Sequence, residues 1–511
     1  MQLKQLMLGA AASGLLAMPI SPAIAGNDKP GSAYVQCDGK PDNVTDGETA
    51  ARLLGAVTLV GLFVPQHETA DASKRKFGAE GVAACTSLLS GDHQEGNAHR
   101  RVGLILGRAI HQIEAKNYPA AIVDSQLART EAQAAGLMAD PYFARSRARA
   151  FDLIESAALI RMGQPEQARA ASLRSAALAQ YSVASLFNTP TYSDFLQTTS
   201  PDEDRVNDWR DRIAPTFAGV TADRLESDGR FSEAARLRDA LVDFNSATSP
   251  ESKSSVLLAR AALSHALAGD FAGAAERAAA AKANAEQRRA DGKPESDTST
   301  LVELLDLLGI IETSHSKNAN AARPLFAARS EWVSASLGSV MAVNSSLREG
   351  ASSDQMVGGL AKSTGELWAD HVATARAAML AKDSDNKDLF YLIPAERSAK
   401  IYQAMAKAVW RTDKSKIIIP KKAGSKSPME LMYLPLADPV GALDAYVLHA
   451  ALIARSRGQQ GFVFLPIITG RVIGAAFLSG NRGDKGLPPE LFIDANDAIA
   501  KLSPVIPQPV D

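Results

Sequence analysis

Residues 265–282 read HALAGDFAGAAERAAAAK, nine alanines and two glycines in eighteen positions. Residues 252–268, SKSSVLLARAALSHALA, carry apolar side chains at helical spacing and predict one helix; Gly269 and Asp270 break it, and Phe271 to about Gln287 predicts a second. Ala262, Ala274, Ala278 and Ala281 recur at intervals that place them on the facing sides of the two helices. Small side chains there let two backbones approach closely, with Phe271 filling the gap at the turn. The stretch is therefore a specified helical hairpin and not low-complexity filler. One such hairpin buries too little surface to stand alone and has to stack on neighbours.

Weaker copies lie on both sides: Ala109 with Tyr118 and Ala121, Gly163 with Ala168, Ala222 with Gly229, Phe231 and Ala234, and more faintly Ala319 with Ala322 and Phe326. Together with Ala262, Gly269, Phe271 and Ala274 these positions resemble the tetratricopeptide repeat, in which a small residue, a Gly-x-aromatic turn and spaced alanines pack paired helices. The resemblance covers about residues 78–336 and implies an α-solenoid that binds protein partners. The turn positions 118, 165, 231, 271 and 319 are spaced irregularly, whereas a regular array repeats about every 34 residues, so longer helices or inserts are expected. Helix starts are well punctuated: Asp140 before Pro141, Ser200 before Pro201 and Ser249 before Pro250, with capping boxes at Ser200/Glu203 and Thr45/Glu48.

The ends differ from this middle. Residues 1–25 combine Lys4, an apolar run from Leu6 to Met18, and Ala23 and Ala25, which reads as a signal peptide cut after Ala25. The longest later apolar run, Leu53 to Val64, is too short to span a bilayer. A periplasmic or secreted protein is expected, with no transmembrane segment in the mature chain. The two cysteines, Cys37 and Cys85, pair most simply as one disulfide in such a compartment. After a predicted helix from Pro394 to Trp410, four short segments, KIIIP, MELMYLPLA, GFVFLPII and RVIGAAFLSG, read as strands. Asp438 and Pro439 open a helix that Gly458 closes, Thr469 and Gly470 turn a hairpin, and Leu491–Leu502 reads as a last helix. The expected organisation is a mainly α chain: signal peptide 1–25, a disulfide-pinned helical segment 26–90, a tetratricopeptide-like array 91–385, and a small α+β domain 386–511.

Chemistry is sparse. A net charge of −2 excludes a general nucleic-acid binder, and no GxSxG, HExxH, Walker loop or dinucleotide fingerprint occurs. Asp92, His93, Glu95 and His99 form the best metal-like cluster, but histidines six apart do not share a helix face, and a polar loop explains them better. The segment from Asp383 has Lys387 where a calcium loop needs an oxygen ligand, and Asp42 to Glu48 is explained by the Thr45 cap. Trp209, Trp332, Trp368 and Trp410 read as core residues, and Lys414, Lys416, Lys421, Lys422 and Lys426 as a solvated run. The inner-face positions Ala259, Leu263, Ala266, Leu106, Ile110 and Ile113 are apolar and form no carboxylate clamp. No catalytic residue, metal or cofactor is implied. The favoured reading is an exported, non-catalytic scaffold for protein partners. The alternatives are an envelope enzyme using Arg397, His449, Arg471 or Asp484, and a binder of a small apolar ligand inside the array.

Overall fold

The computed structural model describes residues 31–41, 70–92, 94–182, 185, 192–248, 254–293, 297–383, 389–395, 397, 399–412, 428–432, 439–469 and 472–509. The signal-peptide segment, the Thr45/Glu48 box, the Ser249–Pro250 start, the KIIIP segment and the lysine run lie outside them. The chain is mainly helical, with a small antiparallel four-stranded sheet near its C-terminus. Among the described residues no helix is long and apolar enough to cross a membrane. The chain divides into two compact units: residues 1–179, 187–192 and 376–397, and residues 180–186, 193–375 and 398–511.

The first unit contains α1 (Ala33–Asp38), α2 (Gly78–Leu89), α3 (Ala98–Glu114), α4 (Tyr118–Ala134), α5 (Pro141–Arg145), α6 (Arg149–Arg161) and α7 (Pro165–Ala177). Asp140 caps α5 by accepting the Tyr142 amide at 2.9 Å, with Pro141 in the first turn. The Cys37–Cys85 disulfide joins α1 to α2 across 4.8 Å between Cα atoms, and both cysteines are fully buried. Helix α3 receives this junction: Arg100 pairs with Asp38, and the His111 ring bridges the Cys37 carbonyl at 2.6 Å and Glu114 at 2.7 Å. Gly81 is glycine because a Cβ there would come within 2.4 Å of the His111 ring.

The second unit contains α8 (Pro201–Ile213), α9 (Ala218–Ser227), α10 (Phe231–Thr248), α11 (Ser255–Leu267), α12 (Phe271–Ala290), α13 (Thr298–Ser316), α14 (Ala319–Ala327) and α15 (Leu337–Arg348). Helix α16 (Thr364–Asp383) contains the division, after Ala375. Then follow α17 (Ala399–Val409), β1 (Glu430–Met432), α18 (Pro439–Ser456), β2 (Gly461–Thr469), β3 (Val472–Gly480), β4 (Ile493–Asp494) and α19 (Ala495–Leu502). Ser200 caps α8 through the Glu203 amide at 3.2 Å, and Ser254 caps α11 through the Leu257 amide at 3.3 Å.

Four hairpin turns share one geometry. Lys116, Gly163, Gly229 and Gly269 all take left-handed φ, between 60° and 82°. At each, that residue's amide reaches back three residues, and the next amide reaches back five, as in Lys116 to Ile113, Asn117 to Gln112, Gly269 to Ala266 and Asp270 to His265. This is the Schellman cap, which satisfies the last carbonyls of the first helix. The second helix then starts one residue later, at Tyr118, Pro165, Phe231 or Phe271. At α13/α14 the equivalent Lys317 has φ −114°, and Asn318 caps α14 instead. Lys116 alone of the four supports a Cβ in the left-handed region. Lys116→Gly is therefore expected to raise stability by about 0.5–1 kcal/mol, net of the glycine's unfolded-state entropy, in urea denaturation. A loss of stability would show that its side chain matters more than its backbone.

The alanines of the hairpin α11/α12 lie where the helices meet: Ala262, Ala274 and Ala281 are fully buried and Ala278 nearly so. Ala109, Ala121, Ala168, Ala222 and Ala234 are also fully buried. Phe271 stacks on His315 at 3.7 Å between ring centroids, while Tyr118 is half-buried against the first unit's core.

The sheet has the order β1-β3-β2-β4. Thr469 pairs with Val472 and so belongs to β2 and not to the turn expected at Thr469 and Gly470; Gly470 lies outside the described residues. Strand alternation sends Val463, Leu465, Ala476 and Leu478 to one face, where they share a core with Ala222, Leu237, Leu241 and Phe244 of α9 and α10. Fully buried Phe462, Phe464 and Phe477 occupy the other face, and α18 packs on β2 and β3. The last helix begins at Ala495, later than its sequence pattern predicts. Ile493 and Asp494 pair with Phe462 and Gly461, and the Asp494 side chain caps α19 by accepting the Asn496 and Asp497 amides. Likewise α17 begins at Ala399, preceded by a 3-10 turn at Leu389–Leu392.

Candidate functional site

In the second unit, one face of α10 and the loop after β3 enclose an open cleft of about 740 Å³. Helix α10 contributes Arg236, Asp239 and Asp243, a stripe at helical spacing; the loop contributes Asp484, Lys485 and Glu490; Pro428, Pro488 and Pro489 stiffen the rim. Four carboxylates against two cations leave a net charge of 2 − 4 = −2 in the lining.

The carboxylates are not equivalent. Arg277 holds Asp239 with both ends of its guanidinium, at 2.6 and 2.8 Å, and His265 Nε2 lies 2.9 Å from the same carboxylate. His265 Nδ1 is 2.8 Å from Asp270, whose other oxygen accepts the Gly273 amide and caps α12. The Gly273 amide and then His265 hold the Asp270 carboxyl below the usual range. A Cβ on Gly273 would lie 2.3 Å from the Asp270 carboxylate, so this clasp of α10, α11 and α12 requires glycine. Asp243, in contrast, has no ion-pair partner among the described residues. Partial burial, followed by the charge of Asp239 and then of Glu490, pushes its carboxyl up against the pull of Arg277. Asp484 accepts the Asn481 amide at 2.8 Å, which fixes the loop that carries Lys485.

The other residues singled out from sequence sit elsewhere. His449 is buried, with Nδ1 at 2.6 Å from the Val409 carbonyl, and burial pushes its imidazole pKa down. Arg397 is buried in the first unit, where its amide donates to Ser146, and Arg471 lies outside the described residues. Glu95 accepts the Tyr34 hydroxyl and the Asn97 amide, and His99 packs edge-on against Phe143. His93 lies outside the described residues, among which no group of three or more His, Cys, Asp or Glu is placed to hold a metal ion. Asp383 is gripped by Arg161 at 2.7 and 2.5 Å. Trp209 packs on Tyr181, Trp332 on Phe326 and Trp368 on His371, and Trp410 donates to the Ile506 carbonyl. The inner-face positions Ala259, Leu263, Ala266, Leu106, Ile110 and Ile113 are all buried, at most 3% exposed, by their own units.

No protein-family model, curated protein or solved structure matches the chain. Fold and site together define a mainly helical protein whose small sheet shares a core with a helical hairpin and borders an acid-lined cleft.

Proposed function

We propose that this is an exported, non-catalytic interaction protein of the cell envelope, built from tetratricopeptide-like hairpins, whose cleft beside α10 takes a basic extended segment of a protein partner. The observation that carries the reading is the cleft itself: an open trough with an excess of carboxylates, in which Asp243 lacks a cation of its own. A lysine or arginine side chain seated there would supply the missing charge. The repeated Schellman turns support the repeat-like part of the reading, and the buried disulfide fits an oxidising compartment. The burial of Ala259, Leu263 and Ala266 argues against an apolar ligand on that inner face.

The test is fluorescence anisotropy with a labelled Lys/Arg-rich peptide and an acidic peptide of equal length, against the full chain and the double variant Asp243→Lys/Glu490→Lys. The basic peptide is expected to bind in a salt-dependent way, with affinity at least about tenfold weaker in the variant. Equal binding to both proteins, or preference for the acidic peptide, overturns the reading.

A further inference from the structure

Helix α8 buries Val206, Trp209 and Ile213, and among them Asp211, which is only 5% exposed. The Thr221 hydroxyl of α9 donates to Asp211 at 3.0 Å. No Lys, Arg or His lies within ion-pairing distance of this carboxylate among the described residues, although Arg210 and Arg212 flank it in sequence. Arg212 instead pairs with Asp208 at 2.5 Å. A buried carboxylate with one hydroxyl donor and no adjacent cation is stable uncharged and strongly disfavoured ionised.

We propose that Asp211 is a proton-operated latch between α8 and α9, closed while its carboxyl is protonated and loosened when it ionises. The charged groups around it act in both directions, and burial outweighs them. On α8, Asp208 adds like charge and Arg210 and Arg212 oppose it. Around α8 stand Arg224 on α9, engaged with Glu203 and with the carbonyls of Ser193, Leu196 and Thr198. Tyr181 and Asp497 bond each other at 2.5 Å, Asp494 lies on the edge strand β4, Arg482 in the loop after β3 lies over the Phe492 ring, and Glu490 is in the 3-10 turn that contacts α8. Of these groups, Thr221 is the one that hydrogen-bonds Asp211. Burial drives the Asp211 carboxyl up to about 7, against the Thr221 bond and the two arginines.

The unfolded carboxyl ionises near its ordinary value of about 4, the folded one only near neutrality, so the folded chain holds the extra proton between them. The latch stays closed until pH approaches 7, and its contribution to stability is fully present below about pH 4. Folding then weakens by up to about tenfold in equilibrium constant per pH unit as pH rises towards 7, and the loss is complete above it. His449, held neutral by burial, acts in the opposite direction as pH rises. The informative quantity is therefore a difference between two chains.

Urea unfolding of the full chain and of Asp211→Asn at pH 4.5, 6 and 8 tests the proposal; asparagine keeps an acceptor for Thr221 and cannot ionise. The ratio of folding constants, variant over wild type, is expected to rise at least about tenfold from pH 4.5 to pH 8. A ratio independent of pH overturns the proposal. A carboxyl ¹³C titration of Asp211 in the wild-type chain gives a second reading that does not need the variant to fold. A midpoint near neutrality supports the latch, and one near 4 overturns it.

Discussion

Arg238→Met is expected to cost about 3–5 kcal/mol of stability at neutral pH, because it strands a buried carboxylate. Arg238 is only 3% exposed. Its Nε donates to Glu226 at 2.7 Å and to Ser264 at 2.9 Å, and its Nη2 pairs with Asp223 at 2.6 Å. Glu226 accepts further hydrogen bonds from Ser264 at 2.5 Å, from Ser339 at 3.0 Å and from Ser336. One carboxylate thus ties α9, α10, α11 and the start of α15 together. Gly338 completes the joint, since a Cβ there would meet the Ser227 backbone at 2.3 Å. Burial alone would push the Glu226 carboxyl up, but the Arg238 charge and the hydrogen bonds from Arg238, Ser264 and Ser336 outweigh it and hold it below the usual range.

That balance makes a second, signed expectation. With its folded pKa depressed, Glu226 contributes stability that is present above about pH 4.5 and lost as pH falls through the folded value. In Arg238→Met the carboxylate keeps burial without the cation, so its folded pKa moves above the unfolded one. Its contribution then falls as pH rises beyond about 4.5. Urea midpoints at pH 5 and 7.5 should show the variant's deficit widening with pH. A deficit that is constant or shrinking would mean that the loss is one of packing and not of charge. Replacing both partners, Glu226→Leu with Arg238→Met, should cost less than the arginine change alone.

How much of this could be read from the residues depends on whether the cause is local. The turns at Gly163, Gly229 and Gly269 are legible because a left-handed residue costs a side chain dearly, so glycine marks the place. Lys116 adopts the same conformation with no such mark. Its turn shows only through Tyr118 and the spacing of Ala109 and Ala121. The α11/α12 hairpin is legible because close backbone approach demands alanine, and β2 and β3 because β-branched and aromatic residues cluster in Phe462–Ile468 and recur at Val472, Ile473 and Phe477. Strand β4 is hidden: two residues carry no period, and Ile493 fits a helical pattern until Phe462 pairs with it. Arg238, Glu226 and Asp211 look like ordinary solvated charges on amphipathic helices, because what buries them comes from helices remote in sequence. The cleft fails for the same reason. Arg236, Asp239 and Asp243 form a visible stripe, but nothing local says that a loop some 240 residues further on will face it. Even the clasp lies among the alanines of 265–282: His265, Asp270, Gly273 and Arg277 belong to that stretch, but Asp239, which His265 and Arg277 hold, belongs to another helix.

Removing the disulfide, by Cys37→Ala with Cys85→Ala, is expected to cost the first unit about 4 kcal/mol. The sequence separation of the two cysteines is 48 residues. Freeing a loop of that length restores about 4 kcal/mol of chain entropy to the unfolded state. Few other ties place the six-residue α1. Asp38 is held by Arg100 and the Cys37 carbonyl by His111, while Gly107 leaves room for Cys37 Sγ at 3.4 Å from where its own Cβ would be. Because both cysteines are fully buried, a reductant added to the folded protein should act only as fast as the unit opens. The four tryptophans, Trp209, Trp332, Trp368 and Trp410, all belong to the second unit, whereas helices of both units contribute to far-ultraviolet circular dichroism. In the double variant, therefore, part of the dichroism should be lost at lower urea while the tryptophan fluorescence midpoint moves much less. Coincident shifts of both signals would show that the disulfide supports the whole chain, and a dichroism midpoint unchanged from wild type would show that α1 is held by Arg100 and His111 without it.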